Sequence, residues 1–135
     1  MKQEDKDLLL RDLCNRLPYG VIIEHDGNLS KVDTIFMCDS ISISSTSMDK
    51  EFFYNLNLDE VKPYLFPLSS ITEEIMDEIY NNTGVYDIDS FVHIEVGTTF
   101  EDLTKIFDIL HKHHIDYRGL IPMGLAIDAT GLNIY

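Results

Sequence analysis

Apolar positions in the first seventeen residues recur at helical spacing. Leu9, Leu10, Leu13, Cys14 and Leu17 fall three and four apart, while Lys6, Arg11, Asp12 and Arg16 are placed to face water, which predicts an amphipathic helix. Pro18-Tyr19-Gly20 stops it, because a proline disfavours helical geometry at the residue before it and glycine permits a reversal. The period then changes. Val21-Ile22-Ile23 is β-branched throughout, and Asp26-Gly27 is a tight-hairpin dipeptide. A return strand is expected at about Lys31 to Cys38, with Val32, Thr34 and Phe36 on one face and Ile35 and Met37 on the other. Ile41 and Ile43 alternate with serines, as in a half-buried third strand, and Ser44-Ser45-Thr46-Ser47 reads as a polar turn or mobile loop. Phe52, Phe53, Tyr54, Leu56 and Leu58 are expected to supply core material, on a strand or a short helix.

Pro63 and Pro67 frame Tyr64-Leu65-Phe66, an apolar connector expected to be extended and packed down. Ser70-Ile71-Thr72-Glu73 matches a capping box, opening a helix that carries Ile71, Ile75, Met76, Ile79 and Tyr80 inward and stops before Gly84. Thr98-Thr99-Phe100-Glu101 is a second box, followed by Leu103, Ile106, Phe107 and Leu110 on one helical face. Between these helices Phe91, His93 and Glu95 alternate with Val92, Ile94 and Val96, a candidate strand. Beyond Ile115 the glycines at 119, 124 and 131 suggest turns, with one further strand at Leu125 to Ile127. The pattern predicts a single α+β domain over 1–135, about three helices packed on a small antiparallel sheet.

Composition adds limits. A chain of 135 residues and 15.5 kDa allows one core, and 44% apolar with 25% charged residues suits a globular protein. No run of 18 apolar residues occurs, so no membrane-spanning helix is expected. The start, MKQEDKDLLLRDL, is acidic where a secretory signal is basic, and two cysteines build no disulfide framework; a cytoplasmic protein is expected. Ten basic residues against 24 acidic ones give a net charge of −14, which argues against binding nucleic acid or an anionic membrane.

Candidate chemistry is sparse. His111-Lys112-His113-His114 draws the eye, since His111 and His114 are three apart and could share a helical face as paired metal ligands. The same spacing makes both an extension of the apolar stripe, four after Phe107 and four after Leu110, and histidines at a helix C-terminus also offset its dipole. The structural reading is preferred. His93-Ile94-Glu95 has the start of a zinc-deaminase motif, but no cysteine lies beyond Cys38 to complete it. A metal site or hydrolase using His93, Glu95, His111 and His114 is the alternative reading. Cys14 sits within an apolar stripe, and no basic residue flanks Cys38 to activate it. Asp87-Ile88-Asp89 resembles a fragment of a calcium loop without its glycine and final glutamate. No catalytic residues and no cofactor are assigned, and a non-enzymatic protein is expected.

The strongest physical feature is an acidic block. From Pro63 to Thr104 there is no lysine or arginine, while Glu73, Glu74, Asp77, Glu78, Asp87, Asp89, Glu95, Glu101 and Asp102 are all negative. Glu73 with Asp77, and Glu74 with Glu78, are like-charge neighbours four apart on the predicted helix, each pair costing about 0.2–0.5 kcal/mol. A solvated face accounts for this without a partner. The reading carried forward is a surface that docks a basic protein partner through Glu73, Glu74, Asp77, Glu78, Asp87, Asp89, Glu101 and Asp102, with binding that weakens in salt.

Three stretches carry a resemblance. Arg16-Leu-Pro-Tyr-Gly-Val21, Lys62-Pro-Tyr-Leu-Phe-Pro-Leu-Ser-Ser-Ile-Thr-Glu-Glu74 and His114-Ile-Asp-Tyr-Arg-Gly-Leu-Ile-Pro-Met-Gly-Leu-Ala-Ile-Asp128 are similar to small uncharacterised proteins of gut bacteria, often carried on prophages or mobile elements. The resemblance implies no activity; it implies a phage-linked or accessory role. In these phrases Tyr64, Leu65 and Phe66 are expected to plug the core. Tyr117 is expected to pack while Arg118 pairs with an acidic neighbour, recognition by the exposed pair being the alternative.

Overall fold

The computed structural model describes residues 1–84 and 100–135. The predicted strand at Phe91 to Val96, the Thr98 capping box, and Asp87, Asp89, His93 and Glu95 lie outside the described residues. Within them the chain forms α1 (Gln3–Arg16), β1 (Ile22–His25), β2 (Asn28–Met37), β3 (Ile41–Ser47), β4 (Phe53–Asn57), β5 (Lys62–Pro67), α2 (Glu73–Thr83), α3 (Phe100–Lys112), β6 (Ile115–Asp116) and β7 (Ile127–Asp128). No described helix is long and apolar enough to cross a membrane.

The α+β class holds, but the sheet is larger than expected and mixed. Its order is β4-β3-β2-β1-β5-β6, with β7 also on β5. The first four strands form an antiparallel meander and β1 pairs antiparallel with β5, whereas β6 and β7 pair with β5 in parallel. Two-residue parallel strands are too short to imprint a period on a sequence.

Asp26 and Gly27 make the expected two-residue turn. Both have positive φ, 47° and 77°, the backbone that matches strand twist and that glycine adopts freely. On β2 the register shifts between Val32 and Thr34, leaving Asp33 as an extra residue. This bulge moves Ile35 onto the core face with Val32 and turns Thr34 and Phe36 out, so strict alternation misplaced them. The stretch Ser44 to Ser47 is strand rather than loop, and Ser45 is fully buried. Its hydroxyl accepts from Ser30 at 2.8 Å, and Ser30 lies 3.1 Å from His25 Nε2, so the three buried side chains satisfy one another. Phe52 and Phe53 are not core: they are 57% and 79% exposed.

Leu9 and Leu13 of α1 pack on the sheet face carrying Val21, Ile23, Val32, Ile43 and Leu65. The opposite face carries Ile22 and Tyr64 against Ala129. A separate cluster joins α2 to α3 through Ile75, Ile79, Ile106 and Leu110. The cap of α2 is Thr72, whose hydroxyl accepts from the Ile75 amide at 3.3 Å, two residues later than the Ser70 box placed it. Gly84 ends the helix in the left-handed region, as expected.

Candidate functional site

Asp12 and Arg16, expected to face water, are both 0% exposed. With Leu9 and Leu13 they occupy i, i+3, i+4 and i+7, the centre of the apolar stripe. An acid and a cation four apart at core positions is the signal that could have revealed them. Arg16 Nε donates to Asp12 Oδ2 at 2.8 Å, and its Nη2 donates to the Ile115 carbonyl at 2.6 Å, fastening α1 to β6. Arg118 Nε donates to the other carboxylate oxygen, Asp12 Oδ1, at 3.2 Å. Both guanidinium groups also lie over the Tyr117 ring, that of Arg16 5.7 Å and that of Arg118 5.0 Å from its centre. Tyr117 thus packs and Arg118 pairs with an acid, as its phrase suggested. Asp116 holds the following turn, accepting from the Leu120 and Ile121 amides at 2.9 and 2.8 Å.

The histidine run disperses around this cluster. His111 is buried, and its Nε2 shares a 2.6 Å hydrogen bond with the Tyr117 hydroxyl. Burial, then the charges of Arg16 and Arg118, push its pKa down to about 4 against the opposing pull of Asp108. His114 has left the helix. It sits at φ 59° after the α3 terminus, its ring stacked 3.5 Å from that of Tyr135. Burial, then Arg16 and His113, push it down to about 4 as well. Tyr135 donates to the Tyr64 carbonyl at 2.8 Å and accepts from the Ile22 amide at 3.0 Å; burial pushes it up to about 12. His113 faces the other way and meets Glu78 at 2.7 Å. His111 and His114 therefore do not share a helical face, and among the described residues no three His, Cys, Asp or Glu side chains are grouped to hold a metal.

A cleft of about 410 Å³ opens beside the cluster, lined by Asn15, Phe107, Asp108, His111, Tyr117 and Arg118 among others. The thiols stand apart from it. Cys14 is half-buried, and burial raises its pKa away from the reactive thiolate; Cys38 is exposed.

The acidic block divides. Glu73, Glu74 and Asp77 are exposed on the first two turns of α2, and no cation among the described residues bonds to them. Glu78 pairs with Lys112 at the end of α3 and hydrogen-bonds with His113 just beyond it, and these bonds hold its carboxyl below the ordinary range. Glu101 pairs with Lys105 at 3.5 Å, and Asp102 is partly buried and engaged. Exposed carboxylates also occur away from α2: Glu4 and Asp7 on α1, Asp33 on β2, Glu51, Glu60 and Asp128. The contact surface read from sequence as eight residues comes down to three free ones among those described. Compared with known proteins, the chain matches no family model, no curated protein and no solved structure.

Proposed function

We propose that the chain is a non-enzymatic protein that binds a basic protein partner through Glu73, Glu74 and Asp77 of α2. The observation that carries this reading is the contrast with Glu78 one turn on. Glu78 has Lys112 and a hydrogen bond with His113, whereas among the described residues no cation meets the three carboxylates before it, on a helix fixed through Ile75 and Ile79. A lysine- or arginine-bearing surface set against them relieves the repulsion between Glu73 and Asp77 and gains steering from the net charge of −14. Engagement of His111, His114, Ser30 and Ser45 in packing and hydrogen bonds supports a binding role over a chemical one. The mobile-element resemblance fits a cytoplasmic accessory or inhibitor that meets its partner in phage–host interplay.

The test compares two variants that lose equal charge. Glu73→Gln/Glu74→Gln/Asp77→Asn is expected to weaken binding to an immobilised arginine- and lysine-rich peptide by about tenfold or more at low salt. Glu4→Gln/Asp7→Asn/Glu51→Gln is expected to weaken it less than about twofold. Equal losses in the two variants would sink the reading, because net charge alone would then account for the binding.

A further inference from the structure

We propose that the cleft beside α3 binds a small zwitterion with an apolar body, the chemistry of a free amino acid with an aromatic or branched side chain. Its volume of about 410 Å³ lies at the small end of the range for ligand pockets. Leu103, Phe107 and His111 follow one another at four-residue spacing on α3, with Asp108 in the adjacent row. One face of the helix therefore supplies both an apolar strip and a carboxylate. Asn15 of α1 and the Tyr117-Arg118 pair line the cleft from outside that helix.

The two charges on this lining are opposite, and neither cancels the other. Asp108 is exposed, and the cations of its own helix and of the cleft are engaged elsewhere: Lys105 with Glu101, Lys112 with Glu78, and Arg118 with Asp12. Arg118 gives Asp12 its Nε, and Asp12 is shared with Arg16, whose buried Nη1 has no partner. Two guanidinium groups thus meet one carboxylate, which leaves a positive charge in excess on the Arg118 side of the cleft. His111 adds no charge at neutral pH, and its ring feels Arg118 and Asp108 in opposite senses, so it lies near both. A carboxylate set on Arg118 meets the excess charge with the fork geometry that suits it. An ammonium set on Asp108 meets the unmatched acid. The apolar body then lies on Leu103 and Phe107, whose ring is 5.0 Å from that of Tyr117. A simple anion would face Asp108 and a simple cation would face Arg118, so a molecule carrying both charges is favoured over either.

Calorimetric titration of the full chain with L-phenylalanine reads this directly. Both polar contacts are partly solvated and the ligand is small, so the expected Kd is about 0.1–1 mM. Phenylpropionate, which lacks the ammonium, and phenethylamine, which lacks the carboxylate, are each expected to bind at least about fivefold more weakly. Glycine, which lacks the apolar body, is expected to bind at least about tenfold more weakly. Asp108→Asn is expected to weaken L-phenylalanine at least about fivefold while leaving phenylpropionate within about twofold of its parent value, a split that general damage to the fold does not produce. Arg118→Gln, which leaves Asp12 its bond to Arg16, is expected to erase the preference for L-phenylalanine over phenethylamine. Glu51→Gln, an exposed acid outside the cleft, is expected to change binding less than about twofold. Absence of saturable binding up to about 10 mM would overturn the proposal. So would phenylpropionate or phenethylamine binding as tightly as L-phenylalanine, or an Asp108→Asn chain that binds it as the parent does. The cleft shares no residue with Glu73, Glu74 and Asp77, so capture of a basic peptide and binding of an amino acid fail separately.

Discussion

Two acids in this chain are each held by two nitrogen-bearing side chains, and they differ in burial. Asp12 is fully buried between Arg16 and Arg118; Glu78 lies at the α2–α3 seam between Lys112 and His113. At the seam, water can replace either partner, so the triad contributes little beyond its geometry. In the core, the charges are tolerable only together, because removing one leaves another desolvated and unmatched. Burial also spreads the influence of the inner triad: Arg16 contributes to holding both His111 and His114 neutral.

The largest effect is expected at the inner triad. Asp12→Asn removes the only acid that the described structure places on Arg16 and Arg118, and should cost about 3–5 kcal/mol in urea unfolding at neutral pH. Replacing Asp12, Arg16 and Arg118 together by apolar residues of similar volume should recover much of that loss, since no buried charge then stands alone. A cost for Asp12→Asn no larger than that of Glu78→Gln would show that burial is not what separates the two triads.

The next effect is a pH dependence that belongs to the inner region. His111 and His114 titrate at about 4 when folded against an ordinary 6.5. The unfolded chain therefore binds protons that the folded chain refuses. Stability is full above about 6.5 and falls as pH drops toward 4, by at most about 1.4 kcal/mol per pH unit for each histidine. Urea midpoints taken across that window should give this slope, and His114→Gln or His111→Gln should each roughly halve it. A flat profile would mean that the rings are reached by water.

Much of this architecture is legible in the sequence, and the illegible parts share a cause. The stripes of α1 and α3, the Asp26-Gly27 turn and the extended Tyr64-Leu65-Phe66, with Tyr64 and Leu65 buried, follow from local period and turn chemistry. What escapes is decided by partners distant in sequence. Ser45 can be a buried strand residue because Ser30, itself bonded to His25, donates to it. Arg16 can be a core residue because Asp12 and the Ile115 carbonyl, ninety-nine positions away, meet it. Of the candidate site, sequence marks which residues are acidic but not which carboxylates are already neutralised: Glu78 reads like Glu74 until α3 is folded against α2.

The smallest effect is the most diagnostic of the outer triad. Glu78→Gln keeps a side chain of the same size while removing the charge that Lys112 and His113 meet, so its cost should be at most about 1 kcal/mol and should shrink in high salt. The Glu78 carboxyl is held low when folded, so its contribution is present above the ordinary carboxylate pKa and is lost as pH falls through the depressed folded value. That window lies below the one governed by the histidines. Glu78→Gln should therefore flatten the acid limb of the stability profile below about pH 5. An acid limb identical to that of the parent chain would mean that the Glu78 carboxyl draws no stabilisation from the seam, and burial would then separate the two sites completely.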